Sequence, residues 1–171
     1  MTESKIIYSL RKENLNNYSK TYVPSRLLLG PGPSNAHPEV LKALSLNPIG
    51  HLDDAYLELM SDVQELLRYV WQCNNRVSLP MSGTGSAAME ASIANFIEEE
   101  ETILIAKKGY FGDRLVDMAT RYKANVVVIE KEWGDAFSLD EIKFEIEKNK
   151  PSIFAIVHAE TSTGVLQPLD G

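Results

Sequence analysis

Cysteine is almost absent: Cys73 is the only one in 171 residues. That excludes an intrachain disulfide and a Cys-rich zinc site, and it fits a reducing, intracellular setting. The three histidines, His37, His51 and His158, lie far apart in the chain, so no metal centre is expected. Basic charge is also short. Lys plus Arg number 17 against 24 Asp plus Glu, a net charge of −7, which argues against nucleic-acid and anionic-membrane partners. No apolar run approaches the roughly 20 residues that span a bilayer. The opening MTESKIIYSLRKENLNN has no long apolar stretch before a cleavage site, so it is not a secretory signal. Repeats, low-complexity tracts and a GxSxG elbow are missing as well.

What is present is ordinary globular composition, 44 % hydrophobic and 24 % charged, in a chain long enough to bury roughly two thirds of its unfolded surface. Residues 1–25 read as a polar arm. Arg26 to Gly30 (RLLLG) is a short apolar run stopped by Gly30-Pro31-Gly32-Pro33, which can continue neither strand nor helix. The plain reading of that stop is a rigid turn; the functional one is a backbone wall against a ligand.

A regular alternation follows. Helices are expected over 38–46 and over Asp53–Cys73, where Tyr56, Met60, Val63, Leu67, Val70 and Trp71 share a face. Further helices are expected over Thr84–Glu98, over 112–122, and from Ser138, which has capping-box spacing to Glu141, to about Lys150. Strands are expected at Arg76–Pro80, Thr102–Ala106, Asn125–Ile129 and Ile153–Val157. Glu98–Glu101 reads as a solvated turn. Short apolar strands alternating with amphipathic helices specify the α/β class: a mainly parallel sheet with helices on both faces. The chain stops at Leu169-Asp170-Gly171, where a doubly wound domain would continue, and so looks cut rather than finished.

Ligands of such sheets sit beyond the C-terminal ends of the strands, and three loops stand out there. Ser82-Gly83-Thr84-Gly85-Ser86 opens a helix with close-approach glycines, exposed N–H groups and two hydroxyls, which suits a phosphate. It is not a Walker A loop, because no Gly-Lys-Ser/Thr follows. Gly83, Gly85 and Ala88 do match the GxGxxA dinucleotide variant, and Lys107-Lys108 after the next strand would suit a 2′-phosphate, so an NADP-binding domain stays open as an alternative. Lys107 to Arg114 places Phe111 among glycines, either to stack on a flat ring or to pack under the loop. His158 to Gly164 brings an imidazole, a carboxylate and three hydroxyls, which can equally be caps and turns. Cys73, late in its helix, reads as a packing residue.

LLLGPGPSN (Leu27–Asn35), PMSGTGSAAMEA (Pro80–Ala91), GYFGDR (Gly109–Arg114) and HAETSTGVLQPLDG (His158–Gly171) occur in this order. Together they resemble the class V aminotransferases, in particular the alanine–glyoxylate and serine–pyruvate group, over about residues 26–171. The resemblance implies an incomplete large domain of the fold type I pyridoxal-phosphate architecture, a homodimer when complete, and transfer of an amino group from alanine or serine to glyoxylate or pyruvate. It implies that Thr84, Gly85 and Ser86 hold the phosphate of pyridoxal 5′-phosphate. Phe111 would stack on the ring where relatives often carry Trp, and Thr161 would lie near the 3-hydroxyl where Ser is common. Gly32 and Asn35 would border the substrate. The Schiff-base lysine belongs to a downstream motif, and none of the eleven lysines occupies it, so no catalytic residue is assigned and the fragment alone is expected to be inactive. A non-catalytic half-chain that binds the cofactor or a partner is the other alternative. The cytoplasm is the expected location.

Overall fold

The computed structural model describes residues 23–170, so most of the expected arm, residues 1–25, lies outside the described residues. The chain forms two compact units divided between Asn47 and Pro48. In the first, residues 23–37 bend through Gly30–Pro33 without regular structure. Helix α1 (Pro38–Leu44) then starts on His37, whose Nδ1 accepts from Glu39 N at 3.3 Å. Proline fits there because the first helical turn leaves its N–H positions unused in any case.

The second unit opens with α2 (Asp54–Trp71). Asp53 caps it by accepting from Ala55 N at 2.9 Å, and Gln72 closes it in the left-handed region at φ 49°. Its expected apolar face is only half covered: Tyr56, Met60, Val63 and Leu67 are half-buried, whereas Val70 and Trp71 are exposed. Arg76–Pro80 is not the expected strand. Val77 and Leu79 are exposed, and without a partner strand the backbone of an extended segment gains no ladder.

Helix α3 (Gly85–Phe96) precedes β1 (Thr102–Lys107), then α4 (Tyr110–Arg121), β2 (Asn125–Glu130), α5 (Leu139–Asn149) and β3 (Ile153–Ile156). The three strands form a parallel sheet in the order β2-β1-β3, with Leu104 opposite Val127 on one side and Phe154 on the other. β1 is central, and Ile103, Leu104, Ile105 and Ala106 are sealed from solvent. Burial from both faces is why β1 reads as an unbroken apolar run.

Ile103 and Ile105 pack with Ile93 of α3, with Ile97 just past its end, and with Leu115, Met118 and Ala119 of α4. Ala106 faces the opposite way, toward Phe137 and Ile142 of the α5 side. The chain thus moves from β1 to β2 over one face and returns to β3 over the other, as right-handed crossovers require. The capping box forms as its spacing predicts, with Glu141 N on Ser138 Oγ and Ser138 N on Glu141 Oε2. One element was not foreseen: β4 (Ala159–Glu160) and β5 (Val165–Leu166) make a small antiparallel hairpin just beyond β3. No helix among the described residues is long and apolar enough to cross a membrane.

Candidate functional site

Helix α3 begins at the glycine-rich loop. Thr84 is extended (φ −81°, ψ 167°) and its Oγ1 accepts from Ala87 N at 3.3 Å. The N–H groups of Gly85 and Ser86 have no acceptor among the described residues, and the first turn carries no acidic side chain. A Cβ on Gly85 would meet nothing within 4 Å, so this end of the helix is open. Gly83 has the opposite reason for being glycine: its Cβ would lie 3.0 Å from Ala87 Cβ. An open positive helix end with two hydroxyls is suited to an anion.

Helix α4 begins just past the end of β1, and its positive end is already occupied. Glu160, fully buried on β4, accepts from Phe111 N at 3.4 Å through Oε1 and from Gly112 N at 3.3 Å through Oε2. Oε1 also accepts from Ser162 Oγ at 2.6 Å and Ser162 N at 3.3 Å, while Ser162 Oγ accepts from Tyr110 N at 3.0 Å. The helix dipole and these donors offset the cost of removing a carboxylate from water. Gly109, the N-cap, has no side chain to do this locally. A Cβ there would stand 2.5 Å from Glu160 Cγ and 2.8 Å from Ser162 Oγ. Its φ of 171° is ordinary extended backbone, so the need for glycine is steric. Gly112 is confined in the same way, with Lys107 Cβ 2.8 Å from its would-be Cβ.

The two lysines of this loop do different things. Lys107 pairs with Asp113 at 2.9 Å and Glu130 at 3.0 Å, and the hydrogen bond to Asp113, then that to Glu130, raises its pKa. Lys108 is 1 % exposed and its Nζ has no hydrogen-bond partner among the described residues. Burial pushes its pKa down, opposed by the charge of Glu160. With Lys107 engaged and Lys108 buried, the basic pair expected to suit a 2′-phosphate is not free. The strand that a dinucleotide fingerprint needs ahead of its glycines is also absent among the described residues.

Among the residues singled out by sequence, Phe111 lies in the first turn of α4, edge-on to Tyr110 with ring centroids 5.4 Å apart. It borders an apolar cavity of about 490 Å³ together with Met89 and Ser92 of α3 and Val157 after β3. Thr161 sits in the β4–β5 turn, exposed, and its hydroxyl makes no hydrogen bond among the described residues. Glu160 and Ser162 flank it, so the hairpin carrying Thr161 and the helix start carrying Phe111 are tied directly. Gly32 and Asn35 belong to the first unit. The Asn35 side chain is spent on that unit's own backbone, accepting from Leu28 N at 2.8 Å and donating to Arg26 O at 2.9 Å.

Sequence reading undervalued four polar residues: Lys108, Glu160, Ser162 and Gln167. Gln167 is buried, pairs through its amide with Phe137 N and Phe137 O, and thereby pins the hairpin to the loop before α5. Its backbone carbonyl accepts from His158 Nδ1 at 2.9 Å, which places the proton on Nδ1. The available signal was a run of polar residues directly after a buried strand, where exposed loops and buried networks look alike.

The family model for aminotransferase class-V matches residues 27–171. Alanine–glyoxylate aminotransferase of Mus musculus is 42 % identical over 149 residues, 87 % of this chain and 36 % of its own length. (S)-ureidoglycine–glyoxylate transaminase of Bacillus subtilis is 43 % identical over 146 residues, 85 % of this chain and 35 % of its own. The crystal structure of alanine–glyoxylate aminotransferase from Nostoc sp. superposes with a TM-score of 0.85 at 56 % identity, covering 92 % of this chain and 42 % of that one. The chain spans little more than a third of the length of the curated relatives it matches. These structures are fold type I aminotransferases, and the α/β sheet described above is part of that architecture.

Proposed function

Because the chain belongs to the class-V aminotransferase family, we propose that it forms the N-terminal part of a pyridoxal-phosphate-dependent aminotransferase, homodimeric and cytoplasmic when complete. The observation that supports this most is the contrast between two helix starts: Glu160 fills the one on α4, while on α3 the Gly85 and Ser86 N–H groups have no acceptor among the described residues. The donor set fits the cofactor. Gly85 N–H, Ser86 N–H and the hydroxyls of Thr84 and Ser86 would hold the phosphate, neutralising it with dipoles where the first turn has no cation. Phe111 offers an apolar ring for a flat heterocycle, and the uncommitted Thr161 hydroxyl would donate to or accept from the ring's 3-oxygen.

Pyridoxal phosphate, when bound, supplies an electron sink for charge developing at the Cα of an amino acid. This chain's residues hold and orient. Gly32 and Asn35 are proposed to border the substrate, with Asn35, already bonded to Arg26 and Leu28, shaping its own turn. Lys107 is ion-paired and Lys108 is buried, so neither is proposed as the Schiff-base lysine, which the resemblance puts in a downstream motif. Glyoxylate is the acceptor named for both sets of relatives, whereas their donors differ, alanine in one and (S)-ureidoglycine in the other. The proposed reaction is therefore transfer from a small amino acid such as alanine or serine to glyoxylate or pyruvate.

The test is a pyridoxal-phosphate titration of the complete natural gene product, followed by an alanine-plus-glyoxylate assay. Thr84→Ala with Ser86→Ala should weaken cofactor binding about tenfold or more, the worth of one charge-assisted hydrogen bond. A protein that binds no pyridoxal phosphate, or a double variant that binds it unchanged, would overturn the reading. A natural product whose intact mass matches 171 residues would favour the non-catalytic half-chain instead.

A further inference from the structure

Phe111 and Thr161 are the two groups assigned to the flat ring, and neither is immobilised by its own side chain. Phe111 borders an apolar cavity rather than filled core, and the Thr161 hydroxyl has no hydrogen bond among the described residues. What joins them is Glu160. Its Oε1 holds Phe111 N and Ser162, and its Oε2 holds Gly112 N. Ser162 Oγ adds a second strap by accepting from Tyr110 N at 3.0 Å.

We propose that Glu160 is a positioning residue that locks the first turn of α4, bearing Phe111, to the turn bearing Thr161, so that ring face and hydroxyl keep one spacing. This rests on the cofactor reading above. A helix start needs only a local cap, and an ordinary side chain at residue 109 would serve. Here the N-cap is Gly109, too crowded for a Cβ, and the carboxylate arrives from 48 and 49 residues further along the chain. Exchanging a local cap for a distant one leaves α4 capped as before, but it couples two loops far apart in sequence, a tie to which the Tyr110–Ser162 bond adds. The carboxylate is wholly out of solvent, so the coupling is rigid: a shift in either loop strands a buried charge.

Glu160→Gln preserves the shape but replaces one acceptor oxygen with an amide donor facing backbone N–H groups. The experiment uses the complete natural gene product. Without cofactor, Glu160→Gln should speed amide hydrogen exchange at Phe111 and Gly112 about tenfold or more. With cofactor, it should weaken pyridoxal-phosphate binding about tenfold and diminish the circular dichroism of the bound chromophore. In a Phe111→Ala background the same change should alter binding less than about twofold, because the group it positions is gone. Should Glu160→Gln fail to fold, Ser162→Ala removes the second strap alone and should shift the same readings by about two- to fivefold.

Equal loss of binding with and without Phe111 would show a merely structural role and overturn the proposal. Unchanged exchange at Phe111 and Gly112 would overturn it even if the cofactor binds. A wild-type protein that binds no pyridoxal phosphate, with exchange still raised in the variant, would remove the ring from the proposal and sink it through the cofactor reading instead.

Discussion

Gly109→Ala is the sharpest perturbation the structure offers. The backbone already has φ 171°, which alanine adopts freely, so any effect must come from the methyl group. That methyl would stand 2.5 Å from Glu160 Cγ, 2.6 Å from Cδ and 2.8 Å from Ser162 Oγ. Glu160 would have to retreat about 0.9 Å to reach ordinary contact, stretching hydrogen bonds now at 3.3 and 3.4 Å beyond useful length. The α4 cap consists of these same bonds, and charge-assisted bonds to a buried carboxylate are worth about 1.5–3 kcal/mol. The expected loss of stability is about 1.5–3 kcal/mol, read from urea denaturation midpoints. Gly50→Ala is the matched control: its Cβ meets nothing within 4 Å and its backbone is not left-handed, so it should stay within about 0.5 kcal/mol of wild type. A Gly109→Ala protein within about 1 kcal/mol of wild type would refute the account of Glu160 as a packed, bonded latch.

Three further outcomes are expected. Thr84→Ala removes the side-chain acceptor from Ala87 N and should cost about 1 kcal/mol of stability by denaturation. Glu141 is held down to about 2 from its usual 4.5 by the hydrogen bond to Lys131 and by Ser138; its stabilisation is present above pH 4.5 and is lost as pH falls toward 2. Melting temperatures of wild type and Glu141→Gln should therefore differ at neutral pH and converge over that acid range. Lys108 is the reverse case, a buried amine whose pKa lies below its usual 10.5, so protonation on unfolding favours the unfolded chain as pH drops below that value. Lys108→Met should raise the melting temperature at pH 7, by about 1–3 kcal/mol of stability, and the gain should shrink as pH climbs toward 10.5; a lower melting temperature at pH 7 would refute it.

Some of this was legible because it is local. The runs TILIA, NVVVI and IFAIV became β1, β2 and β3; central β1 is buried on both faces and so needs apolar residues throughout, whereas its neighbours β2 and β3 are only partly covered. Ser138 and Glu141 made their capping box because both partners lie within one turn. Thr84 took the N-cap for the same reason. RVSLP shows the limit: Arg76–Pro80 has strand-like residues, but a strand exists only where a neighbour completes its ladder, and that is a property of the sheet.

The sequence by itself determined the α/β class, the placing of a phosphate-suited loop at a helix start, and, through motifs spread over residues 27–171, the family. Tertiary structure alone decided which helix start stays open. It also decided that Glu160 rather than a neighbour caps α4, that Lys108 is buried without a partner among the described residues, and that Asn35 is spent on its own turn. The reason is the strand order. Parallel pairing of β1 with β3, reached by passing over β1 by way of β2 and α5, sets the loop after residue 107 beside the hairpin after residue 157. Contacts made across such a crossover join residues some fifty positions apart, a distance at which no local pattern of residues carries the information.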